Sequence, residues 1–195
     1  LKNIYVDLGM EEQKTKVILA GADSKIFNSQ NKSIWEKGEK LKLVTHHWSS
    51  HKNKGFESYK LLDSLLSNSD WKDILQFTYI GNTSTEYILE NSKIIEPLSG
   101  IDLAKNLSQN DIYLTGSINE PSGNHHIEAA LCGLPILYLN SGGIPEYCNG
   151  YGVSFTNLEE FEDKLKIIIK EKDKYKKNLE NYQFDSENMN KEYLE

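Results

Sequence analysis

The residues best suited to chemistry lie between Glu120 and Gly143, in "EPSGNHHIEAALCGLPILYLNSGG". Glu120 and Glu128 bracket Ser122, Gly123, Asn124, His125 and His126, and the pattern marks the start of a helix. Serine is a good N-cap, which gives Ser122 that role, and Gly123 lets a ligand approach the backbone with no Cβ in the way. The free N–H groups of the first turn, about Gly123 to His126, would then form an anion site. Glu128 lies ~7.5 Å further along the axis at ~1.5 Å per residue. That is about the reach from a diphosphate to a ribose, whose vicinal hydroxyls suit a carboxylate. Glu120, on the loop before the helix, can reach a group attached to the other end of the anion. On spacing alone, two unrelated surface acids fit the pattern equally well.

All 22 basic residues are lysine. Phosphate recognition therefore lacks the guanidinium fork and must use lysine as a point charge, histidine, or backbone N–H groups. The five histidines fall in two places: His46, His47 and His51 in one, His125 and His126 in the other. Neither place has a strong metal-ligand spacing such as H-E-x-x-H. His125 and His126 point about 100° apart on a helix, and His46 and His47 alternate across a strand end, where one can be buried in the sheet. The reading is phosphate-adjacent or structural histidine, with no metal. A protonated His125 or His126 would complement an anion. Cys132 and Cys148 lack the spacing of a metal knuckle or redox pair and read as buried thiols.

These residues need a scaffold, and the chain predicts one of α/β class. Short apolar runs at 16–27, 41–50, 75–81, 93–98, 111–117, 135–140 and 152–155 read as strands, the first ending in a Gly-Ala-Asp turn. Helical patterns cover 56–69, with Phe56, Tyr59, Leu62, Leu65 and Leu66 on one face, and 99–110, capped by Ser99. A further helix is expected after Ser122. "SGGIPEYC" reads as a turn. Residues 157–179 form an amphipathic helix with an acidic start and a lysine-rich end, and the last residues a shorter helix or frayed tail. Alternation of this kind gives a doubly wound, Rossmann-like parallel sheet in one domain, 1–195, with C-terminal helices over 157–195. Ligands then bind beyond the carboxyl ends of the strands, where Ser49, Lys52, Lys54, Gly81, Asn82, Glu96, Glu120, Gly142 and Gly143 collect.

Composition narrows the function. With 195 residues, 38% hydrophobic and 26% charged, the chain reads as one soluble globular domain with a sizeable core. A net charge of −7 argues against nucleic acid or an anionic membrane as the main partner of this portion. No apolar run approaches the ~20 residues of a membrane-spanning helix, and "LKNIYVDLGMEEQ" is not a secretory leader. Because the chain opens on Leu1, a processed chain or a piece of a longer one is expected.

"INEPSGNHHIEAALCGLPILYLNSGGIPE" resembles the E-x(7)-E segment of the family-4 (group 1) retaining glycosyltransferases, which have the two-domain GT-B fold. "VILAGADSKIF" is similar to that family's V-I-x-N-G-x-D-x-x-x-F stretch, and "HKNKGF" to its K-G loop. The resemblance runs in order from about Val17 to Gly152 and covers only the C-terminal, donor-binding domain. It implies that Glu128 binds the ribose and that Glu120 contacts the donor sugar near the reacting centre. It further implies that amides from Gly123 onward hold the diphosphate while Lys54 neutralises the leaving group. Ser122, Asn124, His125, Ser49, Lys52, Gly142 and Gly143 would line the donor, and Gly81, Asn82 and Glu96 the base. The chain departs from the family at Ser49, where an arginine usually stands, with Lys52 or His51 as candidate substitutes.

The expectation is a cytoplasmic donor domain for a UDP- or GDP-sugar, with no cofactor required. A missing N-terminal domain would supply the glycan or lipid-linked acceptor, with the full-length protein peripheral at the inner membrane face, in polysaccharide biosynthesis. The isolated domain is expected to transfer little. A GT-B sugar-nucleotide epimerase, a non-catalytic nucleotide-sugar-binding domain and, remotely, a metal-dependent hydrolase stand as alternatives.

Overall fold

A computed structural model describes residues 2–83 and 85–194. In chain order the helices are α1 (Lys2–Asp7), α2 (Phe56–Leu65), α3 (Ser69–Lys72), α4 (Gly100–Ser108), α5 (Asn124–Leu131), α6 (Ile144–Cys148), α7 (Phe161–Leu179) and α8 (Ser186–Leu194). The strands are β1 (Leu41–His47), β2 (Leu75–Gly81), β3 (Lys93–Ile95), β4 (Ile112–Thr115), β5 (Ile136–Leu139) and β6 (Gly152–Phe155). All neighbours pair in parallel, in the order β3-β2-β1-β4-β5-β6. The order reverses between β1 and β4, and that switch point opens a crevice at the carboxyl ends of the two strands.

Side-chain alternation along the strands sends residues to opposite faces of the sheet. Val44 and Tyr113 join a core with Leu103, Leu107, Ile127 and Ala130 beneath α4 and α5. Leu43, Ile112 and Leu114 join the other core with Phe56, Tyr59 and Leu62 of α2 and Phe161, Leu165 and Ile168 of α7. With both faces covered, the strands read as nearly continuous apolar runs, which is why β1, β2, β4, β5 and β6 fall where the sequence places them.

Three expectations are corrected. Residues 16–27 form no strand; Ala22 bridges Asp185 instead, with the Ser186 N–H donating to the Ala22 carbonyl at 2.8 Å. Gly21 permits this stitch, since a Cβ there would lie 2.1 Å from the Asp185 carbonyl oxygen. Next, "SGGIPEYC" is a turn only as far as Gly143. Pro145 sits in the first turn of α6, where its missing N–H costs nothing. Finally, Ser99 occupies the N-cap of α4, but its side chain makes no capping bond.

Candidate functional site

Two loops meet at the switch point. The segment after β1 forms a short 3₁₀ turn, Lys52–Lys54, and then Gly55 at φ 92°. The Ile118 N–H donates to the Asn53 carbonyl at 2.8 Å, tying this turn to the loop after β4. Gly55 and Gly116 meet backbone to backbone; a Cβ on Gly55 would lie 2.3 Å from the Gly116 carbonyl carbon. Only glycine permits that approach at that φ. The consequence is contact between side chains 66 residues apart: Lys54 Nζ lies 2.7 Å from Glu120 Oε2, the pair largely shielded from solvent.

The Glu120 loop is clamped from the other side by the double glycine after β5. The Gly143 N–H donates to the Glu120 carbonyl at 2.8 Å, and Gly142, at φ 61°, lies so close that a Cβ would meet the Glu120 backbone nitrogen at 2.7 Å. Gly142 and Gly143 thus hold Glu120 in place, and the Gly143 amide is already engaged.

Helix α5 begins at Asn124 with Gly123 as its N-cap and no capping side chain. The first four N–H groups of an α-helix have no acceptor within it, here those of Gly123 to His126. Ser122 and Asn124 are exposed at this tip. Ser122 is not the cap; its hydroxyl lies 3.1 Å from the Tyr147 hydroxyl and fastens the tip to α6. A Cβ on Gly123 would meet the His125 ring at 2.5 Å and Glu120 Cγ at 2.9 Å. Glu120 therefore flanks the tip directly.

On the other flank, Glu128 Oε2 accepts from His46 Nε2 at 2.9 Å. His46 and Glu128 line a cavity of about 280 Å³ with His47, Trp48, Ile80 and the β3–α4 loop, Pro97 to Gly100. Trp48 is exposed, and the Asn82 side-chain amide donates to its carbonyl at 2.5 Å. Gly81 is buried at φ 142°, where a Cβ would strike the His47 carbonyl oxygen at 1.9 Å. None of the three residues expected at a base lines the cavity: Gly81 packs on the His47 backbone, Asn82 holds the Trp48 carbonyl through its side chain, and Glu96 is exposed.

Four of the five histidines converge beneath the tip. The His125 ring centroid lies 4.8 Å from those of His47 and His126 and 6.3 Å from that of His46. His47 Nε2 lies 2.5 Å from the Tyr59 hydroxyl, and His125 Nε2 lies 2.9 Å from Thr115 Oγ1. Burial pushes both imidazoles well below the usual histidine range, reinforced by neighbouring histidines and Lys54. Burial likewise lowers His126 to about 3, and neither of its ring nitrogens has a partner among the described residues. This corrects the expectation of a protonated His125 or His126 at an anion: desolvation keeps both rings neutral. Positive charge at the tip is left to Lys54 and the amides. Among the described residues, no three His, Cys, Asp or Glu side chains converge as a metal site requires.

Ser49 and Lys52 are exposed on the loop beside Lys54. The Ser49 hydroxyl accepts from the His51 N–H at 3.2 Å, and His51 Nδ1 accepts from the Asn53 N–H at 3.2 Å. One His51 nitrogen is thus committed to the turn, and Lys52 is the freer cation to stand in for an arginine. Reading the sequence missed His46 as the partner of Glu128, Trp48 at the cavity mouth, and Thr115. Position at or just past the carboxyl end of a strand was the one available signal, since β1 and α5 meet only in three dimensions.

An amide-rich helix tip flanked by carboxylates at the switch of a parallel sheet places the chain among Rossmann-like domains of the kind found in GT-B glycosyltransferases. The profile of the family "Glycosyl transferases group 1" matches residues 77–184, more than half of the chain, which therefore belongs to that family. No curated protein matches it in sequence. Among solved structures it is similar to sucrose-phosphate synthase from Thermosynechococcus elongatus, at TM-score 0.71 and 16% identity, covering 99% of this chain and 54% of that one. A glycosyltransferase from Rickettsia africae gives TM-score 0.72 at 18% identity, with 95% and 57% covered. Anabaena HepE in complex with UDP-glucose gives 0.73 at 19%, with 99% and 60% covered. The chain thus spans between 54% and 60% of the length of these proteins.

Proposed function

We propose that this chain is the donor-binding domain of a retaining glycosyltransferase, 1–195 as one unit with the helices of 157–195 at its end. One observation carries the reading: an uncapped helix tip lies between the Lys54–Glu120 pair and the Glu128-lined cavity, at the carboxyl edge of the sheet. The diphosphate of a nucleotide sugar sits on the tip amides, where the helix dipole and free N–H groups favour an anion. The nucleoside enters the cavity, with its ribose hydroxyls on Glu128. The sugar lies toward Glu120. HepE, whose fold is shared, was solved with UDP-glucose, which supports a UDP-sugar as the first donor to test.

As the glycosidic bond breaks, negative charge grows on the departing diphosphate. Lys54 carries three N–H donors, so it can hold Glu120 and a phosphate oxygen together and stabilise that charge. No cofactor is needed for this. The acceptor, a glycan or lipid-linked sugar, is brought by an N-terminal domain, so the chain alone binds nucleotide and transfers little. We place the full protein in the cytoplasm, peripheral at the inner membrane face, in polysaccharide biosynthesis.

A second reading, a non-catalytic nucleotide-sugar-binding domain, is favoured by Ser49, whose hydroxyl offers no positive charge. Calorimetry with UDP and GDP tests the donor site: Glu128→Ala is expected to weaken binding about tenfold or more, the worth of hydrogen bonds to a charged group. Identical titrations for wild type and variant would remove Glu128 from the site.

A further inference from the structure

We infer that His46 is a positioning residue that aims the Glu128 carboxylate and thereby sets the preference of the site for ribose over deoxyribose. This rests on the donor-site reading above and adds to it a residue outside the E-x(7)-E segment. A carboxylate has no hydrogen to give, so at 2.9 Å the hydrogen must sit on His46 Nε2. That bond engages Oε2 and leaves Oε1 for a ligand.

The imidazole is itself held firmly. Its ring stands edge-on to Tyr113 at 5.5 Å and to His125 at 6.3 Å, and the His46 backbone it hangs from is tied down too, its main-chain N–H donating to the Tyr113 hydroxyl at 3.2 Å. Nδ1 is buried with no partner among the described residues. Glu128 is therefore the sole side chain bonded to this ring among those residues. The two side chains are 10% and 18% exposed, enclosed enough to exclude most competing water and open enough to meet a ligand in the cavity they line. A glutamate on a helix has three rotatable bonds, and fixing one of its oxygens removes most of that freedom before the ligand arrives. Strand β1 thus supplies the donor and α5 the carboxylate.

The test compares nucleotides that differ by one hydroxyl. UDP, GDP and ADP are ranked on the wild-type chain by calorimetry, and the tightest binder is compared with its 2′-deoxy form. The wild type should prefer the ribonucleotide by about tenfold or more. His46→Leu should lose that preference to within about twofold, and His46→Gln, whose amide N–H can replace Nε2–H, should recover most of it. Inorganic pyrophosphate should bind all three alike. A merely structural histidine would weaken ribo- and deoxyribonucleotide together. His46→Met serves as a second apolar replacement should His46→Leu not fold. Preference retained in the apolar variants, or lost equally in folded His46→Gln, overturns the role of His46. A wild-type chain that binds nucleotide without preferring ribose also overturns it. Failure of the wild type to bind any of the three overturns the donor reading, and this inference with it.

Discussion

Lys54 and Glu120 meet at 2.7 Å because two loops are pinned together by glycines. The pair is largely shielded from solvent, and its value lies in where it leaves a cation. In the full-length protein, Lys54→Ala should lower the transfer rate about 100-fold or more, the usual loss when a donor to a developing anion is removed. Nucleoside affinity should change far less, because Glu128 and the cavity lie on the other flank of the tip. Radiolabelled sugar transfer with saturating donor checks this, and an unchanged rate would remove Lys54 from the reaction. At this scale the proximity of Glu120 and Glu128 to the α5 tip was legible in the sequence because both lie within one loop–helix segment, whereas Lys54, 66 residues from Glu120, was singled out only through the resemblance of its K-G loop. The partner of Glu128 was not legible, since 82 residues separate it from His46.

At the scale of elements, β1 and α5 deliver four imidazoles to one buried place, where Thr115 at the end of β4 meets one of them. Chain order shows their positions after strands but not that their rings touch. For the same reason the expectation of a charged His125 or His126 failed: exposure, not residue type, sets the charge. His126 is lowered from 6.5 to about 3. Its folded value lies below its unfolded one, so its stabilising contribution is full above pH 6.5 and is lost as pH falls towards 3. The cost is up to about 1.4 kcal/mol per pH unit for each such histidine. His47 and His125 act in the same direction. His126→Phe should therefore flatten the decline of urea midpoint between pH 7.5 and 5. It should cost little at pH 7.5, because neither ring nitrogen of His126 has a partner to lose among the described residues. An equal decline in both proteins would contradict the assignment. The strands themselves were legible wherever both faces are covered. The run at 16–27 misled because an apolar stretch does not reveal its partner, and here the partner is the tail at Asp185 and Ser186.

Across the whole molecule, a chain of net charge −7 keeps a cation and free amides at one crevice of the sheet. On the proposed reading, the Lys54 ammonium and the N–H groups of the α5 tip are what this acidic body offers to a diphosphate. The family assignment and the parallel sheet were both readable from ordered motifs, whereas the shape of the Glu128-lined cavity depends on Trp48 and the β3–α4 loop coming together. The most direct test of the account is backbone amide NMR of the ¹⁵N-labelled chain titrated with UDP and GDP. The largest shifts should fall on Gly123, Asn124, His125 and His126, with smaller ones around Glu128 and Trp48. Binding that leaves those four amides unmoved while others shift would contradict the account.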